Sequence, residues 1–171
     1  MRGQARMEIE EDTVSEKVTI AMFSGDMDKA LAAFNIAIGA ASMGMEVSIF
    51  FTFWGLNIIK KNEGSIRSKG IMRKMLNSMN RGGSRRLPLS KFHMFGLGKW
   101  MMKRLMKDQN TPQIEEMIAM AKDMGVKFIA CTTSIGMMGI SKEAFIPEVD
   151  SYAGVATYLA EAREGKVNLF I

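Results

Sequence analysis

The sequence predicts an α/β fold of three layers, in which helices cover both faces of a mainly parallel sheet of four to five strands. Short apolar runs near residues 18–23, 47–53, 126–130 and 167–171 have the length and composition of buried strands. Helical patterns separate most of these runs, which is typical of parallel strands joined by crossover helices. The chain has 171 residues, of which 47% are hydrophobic and 24% charged, as expected for one domain with a substantial core.

The first half of the chain predicts a strand, a helix and a second strand. Residues 18–23 hardly alternate in polarity, so this strand is buried on both faces. Asp26 is a good N-cap for a helix from residue 27 to about residue 43. Residues 36–59 are apolar enough to raise the alternative of a membrane-spanning helix. Glu46 at the centre of this stretch favours the helix and strand, since a carboxylate in lipid is costly.

The second half continues the alternation of helices and strands. Residues 96–107 predict a basic, Met-rich helix, for which packing over the core is favoured over docking to a protein or a membrane surface. Thr111 as N-cap and Pro112 at the first position start a helix that reaches residue 124, before the strand at 126–130. Further helices are predicted from Ser141 and over residues 152–163, and the last strand covers residues 167–171.

The first 16 residues predict a disordered polar tail. They mix acidic and basic side chains and lack the apolar segment of a secretory signal. Residues 17–171 are predicted to form a single domain. The only cysteine, Cys131, excludes an internal disulfide framework and a cysteine-based metal cluster within one subunit, and it fits a reducing cytoplasm. We expect no metal and no cofactor.

Positive charge is concentrated in residues 60–107, which we call the basic segment. Fourteen basic residues and one acid give this segment a net charge of +13, which leaves −8 for the rest of a chain whose total is +5. An anionic partner is one interpretation: nucleic acid, lipid head groups or an acidic protein. A solvated charged loop is the other. Nucleic acid is the least favoured partner, because no aromatic side chain lies between Lys60 and Lys91 to stack on bases.

Several enzyme classes lack the motifs that they need. No GxGxxG follows the first strand and no GxxxxGK[ST] occurs, which argues against nucleotide sites of those kinds. A serine hydrolase needs a histidine base, and the only histidine is His93 in the basic segment, without a GxSxG motif. A structural role is the simpler interpretation of His93, although a cationic imidazole near Cys131 would favour its thiolate.

The stretch around Cys131 is the strongest candidate for chemistry. Cys131 follows a buried strand directly, and the hydroxyl residues Thr132, Thr133 and Ser134 are natural N-caps for a helical turn behind it. A thiol that faces the free N–H groups of a helix start has a lowered pKa. The alternative is that Cys131 is a small buried hydrophobic residue, as free cysteines often are.

Three strand ends are expected at the same edge of the sheet. Ser24, Gly25 and Asp26 follow the first strand, Trp54 follows the second, and Cys131 ends the third. If the first strand is central, these groups meet in one crevice beyond the carboxyl ends of the strands. A thiolate there, without a second cysteine, suits a carrier that holds sulfur as a persulfide or thiosulfonate. Peroxide reduction through sulfenic acid is the alternative, and it needs an external thiol.

Several stretches resemble the DsrE/DsrF/DsrH-like family, in particular its second DsrE-like group. They are SGDMDKA at 24–30, FFTFWGL at 50–56, LSKFHMFG at 89–96, Ala130-Cys131, Met138-Gly139-Ile140 and GVATYL at 154–159. The resemblance covers residues 17–171. It implies a cytoplasmic homo-oligomer that relays sulfane sulfur through Cys131. The implied partners are small sulfur-carrier proteins, rhodanese-like proteins and heterodisulfide-reductase-like proteins, with inorganic sulfur species as substrates.

One departure from the family pattern lies next to the cysteine. The pattern has Met-Ser-Met-Asp where this chain has Thr133-Ser134-Ile135-Gly136, so only the serine is kept. Loss of the acid favours a thiolate or a bound anion, and it removes any proton-handling role of that acid.

The sequence therefore predicts a sulfur carrier or sulfurtransferase-like protein, without separating a carrier from an enzyme that turns over. Cys131 is the acceptor; the predicted substrate-binding residues are Thr132, Thr133, Ser134, Ser24, Gly25, Asp26, Trp54 and His93. A binding module that uses the basic segment on an anionic partner or a membrane surface, with Cys131 inert, is the first alternative. A thiol peroxidase-like enzyme is the second.

Overall fold

A computed structural model describes residues 16–62, 82–91 and 96–171, and these form a five-stranded parallel sheet with helices on both faces. The strand order is β4-β3-β2-β1-β5. The predicted three-layer α/β fold is confirmed. The strands are β1 (Lys17–Met22), β2 (Glu46–Phe51), β3 (Lys127–Cys131), β4 (Ser151–Ala153) and β5 (Val167–Phe170). The helices are α1 (Met27–Ser42), α2 (Leu97–Asp108), α3 (Ile114–Asp123), α4 (Thr132–Met138) and α5 (Val155–Glu164).

The main core lies between one face of the sheet and helices α1 and α3. Apolar residues at helical spacing on each helix are buried against alternate residues of the strands. Phe128 of β3 is at the centre, with ring centroids 5.9 Å from that of Phe34 on α1 and 5.4 Å from that of Phe51 on β2. Buried aromatic rings remove large apolar areas from water, so these three contribute strongly to the stability of this face.

The opposite face of the sheet has a much smaller buried cluster. Phe50, Ile129 and Cys131 are buried there, and Ala153 and Tyr158 pack against them. Helix α5 covers this face, but none of its side chains is buried. The two faces of the sheet are therefore unequally covered.

Tight packing joins the loops that follow β1 and β2. A short 3₁₀ helix (Phe53–Asn57) follows β2, and the Gly55 N–H donates to Phe23 O at 2.8 Å. A Cβ atom at Gly55 would lie 2.0 Å from Met22 O, so only glycine allows this approach. The loops after neighbouring strands are thereby held together at the carboxyl edge of the sheet.

A polar cluster attaches residues 82–86 to the domain. Asn62 donates to Ser84 Oγ and to Glu115 Oε1, each at 3.0 Å, and Arg85 Nε lies 2.6 Å from the same Glu115 oxygen. Beneath them Lys60 is buried, with Nζ 2.8 Å from Asn57 Oδ1. Burial lowers the pKa of Lys60 to about 8.

Some sequence predictions differ from the observed elements. The N-cap of α3 is Gln113 rather than Thr111, because the Gln113 N–H donates to Glu116 Oε2 at 2.7 Å and so completes a capping box. Tyr152 belongs to the short strand β4, so the last helix starts at Val155 instead of residue 152. The central strand is β2, whereas β1 lies between β2 and β5.

Among the residues that the structure describes, no helix has the length and apolarity needed to cross a bilayer. Residues 36–59 instead contribute to α1, β2 and the 3₁₀ helix. The tail before residue 16, residues 63–81 of the basic segment and His93 lie outside the described residues, and the single-domain assignment stays a prediction.

Candidate functional site

Cys131 ends β3 and is itself the N-cap of the short helix α4. Helix α4 begins at Thr132, so the cap position is occupied by the cysteine instead of Thr132, Thr133 or Ser134. The thiol lies at the carboxyl edge of the sheet, where functional groups of parallel α/β folds collect. Only 4% of the Cys131 surface is exposed, so its immediate neighbours decide its chemistry.

The apolar side of the Cys131 environment is formed by aromatic and aliphatic residues of neighbouring elements. Phe50 and Ile129 belong to β2 and β3, and Tyr158 reaches the cluster from α5. The rings of Phe50 and Tyr158 stack with centroids 5.1 Å apart. These groups exclude water from the thiol and so oppose its ionisation.

The polar side of the Cys131 environment consists of hydroxyl and backbone donors. Burial raises the pKa of the Cys131 thiol, but hydrogen bonds from the Ser134 side chain and N–H, the Thr52 hydroxyl and the Thr133 N–H together outweigh it. The pKa therefore lies below its ordinary value. Ser134 is buried, and its Oγ is 2.9 Å from Thr52 Oγ1, so both hydroxyls are held beside the sulfur. This arrangement stabilises a thiolate.

Thr52 is a site residue that the sequence interpretation missed. It follows β2 directly and donates its N–H to Met22 O at 3.0 Å, which holds it between β1 and β3. Phe51 pairs with Ala130 across the sheet, so Thr52 lies level with Cys131. The sequence feature that could have identified Thr52 is a hydroxyl residue directly after the second predicted strand, which lies next to the strand that ends in Cys131.

The predicted residues of the first loop lie at the same edge, because β1, β2 and β3 are adjacent and parallel. Ser24 Oγ donates to Asp26 Oδ2 at 2.9 Å, and Asp26 also pairs with Lys29 at 3.2 Å. These polar groups therefore bind one another, and none of them is among the donors that set the Cys131 pKa.

Trp54 and Gly25 join the first two loops without being among the groups that set the Cys131 pKa. A Cβ atom at Gly25 would lie 2.6 Å from Trp54 O, so this position also requires glycine. The Trp54 side chain is partly exposed. Of the predicted hydroxyl residues, Thr132 and Thr133 are exposed, and Thr133 contacts the sulfur through its backbone only.

Partly exposed aromatic rings lie along the same edge. The Phe23 ring centroid is 5.2 Å from that of Phe53 and 5.8 Å from that of Phe170. Phe53 has a φ of 45°, which is unfavourable for a residue with a bulky side chain.

No group of three or more His, Cys, Asp or Glu residues that would hold a metal occurs in the part of the chain that the structure describes.

The sequence is similar to known proteins over most of its length. Residues 14–170 match the DsrE/DsrF/DrsH-like family. The chain is 45% identical over 157 residues to the uncharacterized protein YrkE of Bacillus subtilis, covering 92% of this chain and 98% of that protein. It is 32% identical over 163 residues to the sulfur carrier protein DsrE2 of Allochromatium vinosum, covering 91% and 98%.

A solved structure shows the same fold. The protein of unknown function MTH1491 from Methanobacterium thermoautotrophicum matches with a TM-score of 0.54 and 11% identity, covering 92% of this chain and all of that chain. At this identity the match concerns the fold alone.

Proposed function

Because the chain belongs to the DsrE/DsrF/DrsH-like family, we propose that it is a sulfur carrier that binds sulfane sulfur on Cys131 and passes it to a partner thiol. The observation that carries the proposal is the position of this single thiol at the carboxyl edge of the sheet, beside the hydroxyls of Ser134 and Thr52, whose hydrogen bonds lower its pKa. The 32% identity to a protein named as a sulfur carrier supports it.

Loading needs no reductant or oxidant. The Cys131 thiolate attacks the sulfane sulfur of thiosulfate, the S–S bond breaks, and sulfite leaves with the electron pair, so that a Cys131 persulfide remains. With a polysulfide, the leaving group is the shortened polysulfide. A partner thiolate then attacks the outer sulfur and becomes the persulfide, which restores the Cys131 thiolate.

The surroundings of Cys131 suit both steps. The Ser134 and Thr52 hydroxyls and the Thr133 N–H stabilise negative charge on the sulfur before loading and after transfer. Phe50 and Tyr158 keep water away from the attached sulfur. The small exposed fraction of Cys131 favours compact inorganic donors over bulky disulfides.

The proposed partners are small carrier proteins and rhodanese-like or heterodisulfide-reductase-like proteins, and the proposed location is the cytoplasm. A partner that reaches Cys131 from the carboxyl edge would contact Phe53 and Trp54, which follow Thr52 and are partly exposed. We also propose a homo-oligomer, because helix α5 and Phe170 leave apolar side chains exposed on the thinly covered face.

Intact-mass spectrometry tests the sulfur carrier directly. Reduced protein is incubated with thiosulfate, tetrathionate or polysulfide, and the wild type is compared with Cys131→Ser. We expect a reductant-sensitive sulfur adduct on the wild type only. Absence of an adduct with every donor, while iodoacetamide still alkylates Cys131, would contradict sulfur transfer. A parallel incubation with peroxide and dimedone tests the peroxidase alternative, for which rapid sulfenic acid formation and turnover with an added thiol are required.

A further inference from the structure

Two partly exposed phenylalanines lie next to the candidate site along the carboxyl edge of the sheet. Phe23 follows β1 directly, and Phe53 follows Thr52 after β2. They are 36% and 37% exposed, and their ring centroids are 5.2 Å apart; we call them the edge rings. Neither ring is among the groups that set the pKa of Cys131, so the state of the thiol does not explain them.

The pairing of the strands places Phe23 on the same face of the sheet as Cys131. One row of paired residues crosses β1, β2 and β3, namely Ala21, Phe50 and Ile129. Because side chains alternate between faces, Phe23, Thr52 and Cys131 form the next row on that face. Phe23 also stacks on Phe170, the partner of Ala21, with centroids 5.8 Å apart. With about 4.8 Å between strands, Phe23 lies roughly 10 Å from Cys131, beyond the Thr52 hydroxyl.

Phe53 is held in a backbone conformation that phenylalanine disfavours. Its φ of 45° lies in the left-handed region. Hydrogen bonds on both sides fix this turn: the Thr52 N–H donates to Met22 O at 3.0 Å, and the Gly55 N–H donates to Thr52 O at 2.9 Å. Glycine or asparagine adopts such a conformation at less cost. The turn alone therefore does not explain a phenylalanine here, and strain of this kind is typical of functional sites.

The transfer step of the proposed function limits which thiols reach Cys131. The acceptor thiolate attacks the outer sulfur of the persulfide, a new S–S bond forms, and Cys131 leaves as the thiolate with the electron pair of the old bond. Because only 4% of the Cys131 surface is exposed, a narrow chain segment approaches it more readily than a broad protein surface. In an extended segment, a side chain two or three residues from the acceptor cysteine lies about 7–10 Å away, which is the distance to the edge rings.

We propose that the edge rings are a specificity subsite, which selects acceptor proteins with an apolar side chain two or three residues from their cysteine. This inference rests on the proposed sulfur transfer through Cys131. The apolar side chain of the acceptor packs on Phe23 and Phe53 and is removed from water. Its contact holds the acceptor cysteine in front of the Cys131 persulfide. Small thiols have no such side chain, so the rings do not assist them.

Transfer to two matched peptides tests the subsite. The protein is loaded with polysulfide, freed of excess donor and mixed with a short peptide that contains a single cysteine. One peptide has leucine two residues from the cysteine on each side, and the other has glutamine there, so that charge and thiol pKa are matched. We expect the second-order rate constant for transfer to be about tenfold larger for the leucine peptide. Glutathione gives the rate for a thiol that does not use the rings.

Four variants separate the rings from general effects. Phe53→Asn removes one ring and is compatible with the left-handed conformation, and Phe23→Gln removes the other ring. Phe53→Tyr keeps an aromatic ring, and Met43→Asn changes an apolar residue elsewhere that is 79% exposed. We expect Phe53→Asn and Phe23→Gln to reduce the preference for the leucine peptide to about twofold or less, whereas Phe53→Tyr and Met43→Asn keep it. Transfer to glutathione should be the same in all four.

Stability and thiol chemistry are measured on the same variants. Phe53→Asn should unfold at the urea concentration of the wild type or above it, because relief of the strained φ offsets the lost ring contact. Alkylation of Cys131 by iodoacetamide should keep its pH profile, since the edge rings are not donors to the sulfur. A purely structural role of Phe53 would instead change stability and alkylation and leave the ratio of the two peptide rates unchanged.

Three results would overturn the specificity subsite. The first is equal transfer from the wild type to both peptides, and the second is a full preference in Phe53→Asn and Phe23→Gln. The third is a smaller oligomer for Phe53→Asn in sedimentation velocity, which assigns the rings to contact between copies of this chain. Absence of sulfur loading with every donor would contradict the sulfur carrier itself, and the subsite with it.

Discussion

At the scale of single residues, hydroxyl groups decide the state of the Cys131 thiol. Burial among Phe50, Ile129 and Tyr158 alone would make it an inert hydrophobic residue. Donors at Ser134 and Thr52 reverse that effect and lower its pKa. Thr52 comes from a different strand, so this property depends on the register of the sheet rather than on the sequence next to Cys131.

Removal of the Thr52 hydroxyl should therefore make the thiol less reactive. We expect Thr52→Val and Ser134→Ala to raise the Cys131 pKa and to slow alkylation at pH 7 about tenfold, since a hydrogen bond to a charged group contributes about 1.5–3 kcal/mol. The measurement is the rate of iodoacetamide alkylation against pH. The matched control Thr132→Val should keep the wild-type profile, because its hydroxyl is not a donor to the sulfur. Equal profiles for all variants would argue against the role of these hydroxyls.

Burial of Lys60 should make the stability of the fold depend on pH. Its folded-state pKa of about 8 lies below the ordinary 10.5, because burial disfavours the ammonium. Between pH 8 and pH 10.5 the unfolded chain binds more protons at this lysine than the folded protein does. The free energy of unfolding therefore rises with pH over this range, by at most about 3 kcal/mol. Lys60→Met should remove this rise in urea denaturation from pH 7.5 to 10. Exposed Lys127→Met should keep it, and identical slopes for Lys60→Met and the wild type would refute the assignment.

At the scale of elements, the close approach of two loops holds the site in place. Gly55 in the 3₁₀ helix contacts the end of β1, and this contact fixes the chain that carries Thr52. Gly39 in α1 is different, because a Cβ atom there meets no atom within 4 Å. The same substitution therefore has opposite expected effects at the two glycines.

Gly55→Ala should destabilise the fold by about 1–3 kcal/mol, as overpacking typically does. Gly39→Ala should stabilise it by about 0.5–1 kcal/mol, because alanine is the better residue in a helix interior. The measurement for both variants is the free energy of unfolding from urea denaturation at a single pH. Alkylation of Cys131 should slow in Gly55→Ala, because the displaced loop moves the Thr52 hydroxyl away from the sulfur, and it should stay unchanged in Gly39→Ala. Equal stabilities for the two variants would show that the loops tolerate a side chain at Gly55.

At the scale of the whole molecule, helices cover one face of the sheet more completely than the other. Helices α1 and α3 bury one face, whereas α5 leaves Leu159 57% exposed and Phe170 of β5 is 72% exposed on the other. Contact with a second copy of the chain would cover these side chains and would also surround the Cys131 cluster.

The proposed homo-oligomer should depend on this face. We expect sedimentation velocity to show a dimer or larger assembly for the wild type, and Leu159→Ser with Phe170→Ser to weaken association at least tenfold. The control pair Met43→Ser with Met120→Ser removes exposed apolar side chains elsewhere and should leave the assembly unchanged. A wild type that is monomeric at all concentrations would contradict the proposal.

The sequence by itself determined the alternation of strands and helices, the buried stripe of α3 and the position of Cys131 at a strand end, because each depends on local periodicity and capping. The sequence did not predict β4, because three residues are too few for a periodic signal. Nor did it predict that the apolar side chains of Leu97, Trp100, Met101 and Leu105 on α2 are exposed, because periodicity does not show which side of a helix meets the core. Only the tertiary structure decided that β2 is central and that Thr52 lies beside Cys131. Strand order and register are set by contacts between distant segments, which no local pattern contains.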